Sequence, residues 1–155
     1  MKDKLFESEE NQTKSFDPLQ LKNQLCFALY VCSKEIIKRY GPFLEKHDLT
    51  YTSYITLMSL WEKDQVTVKQ LGEQLFLDSG TLTPLLKKME GQGLILRQRS
   101  KEDERTVFIS LTQKGRDLKE ECMEIPAQMF CLNLVDAEKA PELLISLHEM
   151  MERLR

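Results

Sequence analysis

Apolar residues recur at three- and four-residue intervals along most of this chain, and alternate at period two in one region only. From 18 to 40, Leu21, Leu25, Ala28, Leu29, Cys32, Ile36 and Tyr40 form one stripe, which predicts a long amphipathic helix. Gly41-Pro42 is expected to break or bend it, with 43–46 adding a turn. A second helix is expected over 52–61, with Tyr54, Leu57, Met58 and Trp61 facing inward. Thr67-Val68-Lys69-Gln70 has the form of a capping box, and Val68, Leu71 and Leu75 follow at helical spacing. Leu77-Asp78-Ser79-Gly80 carries turn chemistry. A further helix then covers 81–90 and ends at Gly91 and Gly93. If Ser79 caps that helix, Pro84 lies inside it without a donor; either the first turn is irregular or the helix starts later.

Residues 94–99 read as a strand, 100–105 as a charged loop, and Val107, Ile109 and Leu111 alternate as a second strand. Two short helices joined by a tight turn make a helix-turn-helix, whose second helix can enter a major groove. A hairpin directly after it is a wing. Thr112 is placed to cap another helix running to Glu124, where Pro126 interrupts the pattern. A last helix follows Pro141, with Leu143, Leu144, Leu147, Met150, Met151 and Leu154 on one side. The expected fold is mainly α with a small β-hairpin wing: a winged helix at about 52–111, helices at about 18–46 and 112–155 suited to dimerisation, and a mobile polar tail over 1–17.

Composition agrees with one globular domain. The 155 residues are 41% hydrophobic and 30% charged, outside the range of disordered chains. No apolar run reaches the length of a membrane span, and the N-terminus lacks the apolar core of a signal peptide. The chain is therefore expected in the cytoplasm, where its four cysteines are normally reduced. No Cys-x-x-Cys pair occurs, and His47 and His148 have no neighbouring ligand set, so no metal or other cofactor is expected. The net charge of −3 speaks against a nonspecific nucleic-acid coat. Its distribution matters more: between Pro84 and Arg105, six basic side chains face four acidic ones. Alone, such a modest patch reads equally well as a solvated face.

Leu77-Asp78-Ser79-Gly80-Thr81-Leu82-Thr83-Pro84-Leu85-Leu86-Lys87-Lys88-Met89-Glu90, followed by Asp103-Glu104-Arg105, is similar to the MarR family of bacterial regulators. With Asn23-Gln24-Leu25-Cys26-Phe27-Ala28-Leu29-Tyr30, the chain resembles the OhrR branch of that family, the thiol-based sensors of organic hydroperoxides. The resemblance covers roughly 19–155. It implies a homodimer on a double-stranded DNA operator. The DNA candidates are Ser79, Thr81, Thr83, Lys87 and Lys88 around the recognition helix. In the wing, Arg105 is expected to enter the minor groove and Asp103 to orient it. A narrow minor groove concentrates negative potential and attracts arginine.

Cys26 and Tyr30 are four apart and project from one helix face. A tyrosine hydroxyl can hydrogen-bond a thiolate and favour the charged form. Unaided by a family match, a lone helical cysteine reads as a buried filler, and Cys32 keeps that reading. For Cys26 the resemblance implies a reactive sensor thiol, assisted by Tyr30, Tyr40 and Tyr51, the last two from the other subunit. Some members of the branch trap the oxidised thiol with a second cysteine as an intersubunit disulfide; others pair it with a small thiol. Cys131 best matches the position of that second cysteine, and Cys122 is the weaker candidate.

The expected function is a repressor that releases its operator when an organic hydroperoxide oxidises Cys26. The alternatives are a MarR-type repressor released by a small aromatic ligand, a broader redox or virulence regulator, and a thiol peroxidase turning over at Cys26.

Overall fold

The computed structural model describes residues 17–103 and 105–154. The tail expected over 1–17 therefore lies, apart from Asp17, outside the described residues, as does Glu104 of the wing. The chain forms two compact units, Met1–Lys38 and Arg39–Arg155.

In the first unit, Asp17 Oδ1 accepts the Leu19 amide at 2.9 Å, and Leu21–Asn23 forms a 3-10 turn. Gln24 is extended, with φ −100°, so helix α1 starts later than the apolar stripe suggests, spanning Leu25–Leu44. Much of that stripe is exposed: Leu21 is 61% and Leu25 69% accessible, and Cys32 is also on the surface. The break expected at Gly41-Pro42 does not occur. Pro42 is inside α1, in its last turn, where a missing donor forfeits a single bond with little helix left to disrupt.

The second unit contains the winged helix. After a 3-10 turn, Glu45–His47, Asp48 adopts a left-handed conformation, φ 53°. Thr50 caps helix α2, Tyr51–Glu62, by accepting the Ser53 amide at 3.2 Å. The buried face of α2 carries Ser53, Tyr54, Thr56, Leu57, Ser59 and Leu60. Its polar members are satisfied: Thr56 Oγ1 donates to the Thr52 carbonyl at 2.8 Å, and Ser59 Oγ to Gln74 Oε1 at 2.7 Å. Met58, expected inside, is exposed. At 100° per residue the buried arc centres near Ser53 and Leu60, which leaves Met58 at its rim.

Strand β1, Val66–Thr67, leads into helix α3, Val68–Leu75. The capping box is formed: the Gln70 amide donates to Thr67 Oγ1 at 3.1 Å and the Thr67 amide to Gln70 Oε1 at 2.9 Å. Helix α4, Ser79–Gly91, starts earlier than expected, and its N-cap is Asp78 rather than Ser79. Pro84 is accommodated within it. Its ring faces the carbonyl of Gly80, and the bonds from Asp78 to the first turn hold the helix start. α4 ends in a Schellman motif: Gly93 has φ +71°, the Leu94 amide reaches the Met89 carbonyl at 3.0 Å, and the Gly93 amide reaches Glu90 at 2.9 Å.

Strands β2, Ile95–Arg99, and β3, Val107–Leu111, form the hairpin, in register from Ile95↔Leu111 to Arg99↔Val107. β1 adds to β3 through Val66↔Ile109, which completes an antiparallel sheet in the order β1-β3-β2. This third strand is too short to show any alternation in sequence. Thr112 caps helix α5, Gln113–Cys122, as expected. The helix stops at Cys122 rather than Glu124, and Pro126 sits in the first turn of helix α6, Ile125–Phe130, where no donor is needed. Helix α7 spans Ala140–Arg153 and has no buried residue. Among the described residues, no helix is long and apolar enough to cross a membrane.

Leu71, Leu82, Leu86, Met89, Leu94, Ile95 and Ile109 are within 2% of complete burial, each contributing about 1.5–3 kcal/mol relative to exposure. Two close approaches position the recognition helix and wing over this core. A Cβ at Gly72 would meet the Leu77 carbonyl at 2.8 Å, so the turn between α3 and α4 closes only over glycine. A Cβ at Gly115 would lie 2.1 Å from the Leu94 carbonyl, where α5 presses on the start of the wing. Asp64 ties the layers together: Oδ1 accepts the Gln65 and Leu111 amides at 2.8 and 2.9 Å, and Oδ2 meets Arg116 Nη1 at 2.6 Å. Burial alone would raise its pKa, but the Leu111 and Gln65 amides and Arg116 hold it below its ordinary value.

Candidate functional site

The exposed face built by α3, α4 and the wing is concave. One hollow of about 1080 Å³ is lined by Gln70, Phe76, Asp78, Ser79 and Leu82, with Arg105 of the wing closing it. A second, of about 620 Å³, lies between α3, α4 and the hairpin and is lined by Lys69, Thr83, Arg97, Arg105 and Thr106. Arg105 therefore lines both, and Arg97 and Thr106 of the hairpin join it at the second.

The sequence candidates divide by what their side chains are free to do. Ser79 is exposed at the first position of α4 and is not the cap. Asp78 is the cap: Oδ1 accepts the Thr81 amide at 2.9 Å and Oδ2 the Thr81 hydroxyl at 2.8 Å. The hydroxyl bond first, and the amide bond next, hold the Asp78 carboxyl below its ordinary pKa. Thr81 has thus committed its proton, and towards DNA it offers lone pairs, suited to the amino groups of adenine or cytosine. Thr83 is half-buried on the wing side of α4, and Lys87 and Lys88 are exposed near its C-terminal end.

In the wing, Asp103 acts on backbone. Its Oδ1 accepts the Arg105 amide at 3.0 Å and its Oδ2 the Thr106 hydroxyl at 2.9 Å. Ser100 Oγ accepts the Glu102 and Asp103 amides at 3.1 and 3.3 Å, which closes the tip from the other side. Asp103 thus bonds the backbone of Arg105 rather than its guanidinium. Sequence reading missed the link between wing and recognition helix. Glu90 of α4 accepts the Arg97 amide at 3.3 Å and pairs with Arg97 Nη1 at 3.6 Å. Nothing local marks that pair, since Glu90 belongs to a helix and Arg97 to a strand.

The thiol candidates fall in both units. In the first, Cys26 is the second residue of α1 and is exposed. Tyr30, one turn on, is 61% exposed, with Lys34 Nζ 5.7 Å from its ring centre. In the second unit, the rings of Tyr40 and Tyr51 pack in a tilted pair, with centroids 4.8 Å apart at 58°. Tyr54, 6.0 Å from Tyr40, and Trp61, 6.4 Å from Tyr54, continue the cluster. Burial raises the Tyr40 pKa, with Tyr51 adding to it; burial alone raises that of Tyr51. Burial, then Tyr40, Cys122 and Tyr51, push Tyr54 up to about 12. All three hydroxyls keep their protons at neutral pH and are donors.

The remaining cysteines differ sharply. Cys122 is 2% exposed in the core, its thiol pKa raised by burial and then by Glu121. Cys131 is exposed at the C-terminal end of α6. All four cysteines are free. Among the described residues, no group of three or more His, Cys, Asp or Glu is placed to hold a metal ion.

Fold and surface together define a winged helix-turn-helix DNA-binding protein. Residues 38–122 match the family described as Transcriptional regulator SarA/Rot. The chain is 51% identical to the organic hydroperoxide resistance transcriptional regulator of Bacillus subtilis, over 90% of this chain and 95% of that one. It is 44% identical to the HTH-type transcriptional regulator SarZ of Staphylococcus aureus, over 86% and 90%. Among solved structures, reduced AbfR bound to DNA superposes with a TM-score of 0.73 at 31% identity, covering 86% of this chain and 94% of that one. The chain belongs to the MarR/SarA family of transcriptional regulators. It is a regulator and not an enzyme, which removes the thiol peroxidase alternative.

Proposed function

We propose that this protein is a homodimeric repressor that holds a double-stranded DNA operator through α4 and Arg105, and leaves it when an organic hydroperoxide oxidises Cys26. The observation that carries the reading is the exposed Cys26 in the first turn of α1, with Tyr30 on the same helix face and a separate pair of protonated hydroxyls at Tyr40 and Tyr51. The Bacillus subtilis relative named for organic hydroperoxide resistance supports the signal. AbfR, with solved reduced and disulfide-formed states, supports the thiol chemistry.

The Cys26 thiolate attacks the distal peroxide oxygen. An S–O bond forms and the O–O bond breaks; sulfur loses two electrons and becomes a sulfenic acid. The leaving alkoxide takes a proton and departs as an alcohol. Tyr30 would steady the thiolate from its own helix, with Tyr40 and Tyr51 serving Cys26 of the partner subunit by donating to the charged oxygens. The sulfenic acid then condenses with a second thiol, Cys131 or a small thiol, giving a disulfide and water.

Dimerisation is supported by unpartnered apolar surface. On α7, Leu144 is 53% and Ile145 60% exposed, with Leu143, Met151 and Leu154 beside them. That much surface is a cost to a monomer and suits an interface. Two recognition helices about 34 Å apart would then meet successive major grooves on one face of DNA.

The test is operator binding, on a duplex from upstream of the protein's own gene, before and after cumene hydroperoxide. Parent protein is released on oxidation and recovered by reductant, and Cys26→Ser binds and stays bound. Release of Cys26→Ser at the parent's rate would overturn the assignment.

A further inference from the structure

Gln92 caps the C-terminal end of the recognition helix, and its side chain leaves that helix altogether. Nε2 donates to the Asp48 carbonyl at 2.8 Å and to Asp48 Oδ2 at 2.9 Å, across 44 residues of sequence. Two acceptors on that side fix which way the amide points, and they leave Gln92 Oε1 buried with no partner. The Gln92 carbonyl in turn accepts Lys114 Nζ of α5 at 2.9 Å. One residue therefore joins α4, α5 and the segment before α2.

That segment is where the tyrosine pair is held. Asp48 sits in the left-handed region, φ 53° and ψ 38°, which strains a residue bearing a Cβ; the two bonds from Gln92 help to hold it there. The Leu49 amide returns to the Leu44 carbonyl at 3.1 Å, and Tyr51 begins α2 three residues after Asp48, its ring packed at a tilt against Tyr40 near the end of α1. A shift of Tyr51 is thus passed to Asp48 through a short stretch of fixed backbone. Turning the amide in place would set Oε1 against the Asp48 carbonyl and carboxylate, so the contact is either made through Nε2 or given up. Giving it up frees the buried Oε1 to find a donor. The rest of α4 is held independently by Leu82, Leu86 and Met89 in the core.

On the reading that oxidation at the tyrosine site releases the operator, we infer that the Gln92–Asp48 hydrogen bonds are the positioning link that carries movement of the Tyr40–Tyr51 pair to the recognition helix. A contact transmits a signal only if it differs between the two states, and a node bonded in one and released in the other meets that condition.

The experiment measures affinity of the full-length protein for its upstream duplex, reduced and after cumene hydroperoxide, with Cys26 oxidation confirmed by thiol labelling. The parent should lose affinity on the order of tenfold or more, the usual range of allosteric coupling. Gln92→Ala should bind like the parent when reduced and lose less than about threefold when oxidised. Asp48→Gly, which keeps the left-handed backbone and removes the carboxylate, weakens the same link without touching α4 and should show an intermediate loss. Asp48→Asn, which tolerates that backbone and retains an acceptor oxygen, should behave as the parent. If the parent is released and both Gln92→Ala and Asp48→Gly are released equally well, the link is overturned while the thiol reading stands. If the parent itself stays bound with Cys26 oxidised, the thiol reading fails and the link with it.

Discussion

Asp103 grips the backbone of Arg105: its Oδ1 accepts the Arg105 amide at 3.0 Å, while its Oδ2 takes the Thr106 hydroxyl at 2.9 Å. The carboxylate shapes the turn from which the arginine projects, and the guanidinium is left to line the hollows beside α3 and α4. Arg105→Ala should therefore cost about 1–3 kcal/mol of operator affinity, as for one groove contact, with an unchanged melting temperature. Asp103→Ala should lose part of that affinity by loosening the turn. Asp103→Asn, which can still accept the Arg105 amide, should recover most of it. If Asp103→Asn binds as poorly as Asp103→Ala in a salt-controlled titration, the charge rather than the turn is what matters.

The paired Tyr40 and Tyr51 are donors at neutral pH, because burial raises both hydroxyl pKa values. Tyr40→Phe and Tyr51→Phe keep the rings and their tilted contact. Each should leave reduced DNA binding intact and slow oxidation of Cys26 on the order of tenfold, the loss expected for one hydrogen bond to a charged group. The rate is read by thiol labelling against time after hydroperoxide addition. Unchanged rates in the double variant would confine the tyrosines to packing.

How much of this was readable in the sequence depends on the range of the interaction. The capping box at Thr67 and Gln70, the Thr112 cap and the alternation of Ile109 and Leu111 are local, and each appears where its pattern puts it. Met58 lies at the rim of the buried arc of α2 and Pro42 falls in the last turn of α1, two positions where a simple apolar or breaker pattern does not separate the outcomes. β1 gains its identity only by pairing with β3. The same holds for the site. The candidates Cys26, Tyr30 and Arg105 stand in short motifs that a sequence displays. Asp64, Gln92 and the Glu90–Arg97 pair act between elements, where sequence spacing holds no information.

Asp64 is one such residue with a measurable consequence. Its carboxyl pKa is depressed in the folded state, so the stability it contributes is present above the unfolded value, about 3.9, and is lost as pH falls through the folded value. Asp64→Ala strands the Leu111 amide, leaves the half-exposed Arg116 to water, and should destabilise by about 1–2 kcal/mol at neutral pH. Below about pH 4 the gap between parent and variant should narrow. A gap in melting temperature that is constant from pH 7 to pH 3 would mean the charge of Asp64 contributes nothing.

Gly115 should tolerate no side chain. A methyl group there meets the Leu94 carbonyl at 2.1 Å, and backbone cannot swing aside as a flexible side chain would. Gly115→Ala must push α5 from the wing, and overpacking of this kind costs roughly 1–3 kcal/mol. Gly91→Ala, with open space around it, is the control and should be close to neutral. Equal melting temperatures for the two variants would show that α5 and the wing do not pack as closely as described.

The fate of the oxidised thiol turns on which second cysteine can reach it. Cys122 is a poor partner: it is 2% exposed, and burial, with Glu121 adding to it, raises its thiol pKa, so little thiolate is available and no access is open. Cys131 is exposed at the end of α6, the better position for meeting Cys26 of the partner subunit. Hydroperoxide should then produce a covalent dimer on a non-reducing gel, reversed by reductant. Cys131→Ser should abolish it, whereas Cys122→Ser and Cys32→Ser should not. The Cys131→Ser protein should still leave DNA on oxidation, since the sulfenic acid forms at Cys26 regardless, but depend on an added small thiol to avoid irreversible oxidation. A parent that stays monomeric on the gel while mass spectrometry finds a small thiol on Cys26 would establish the one-cysteine route and leave Cys131 without a redox role.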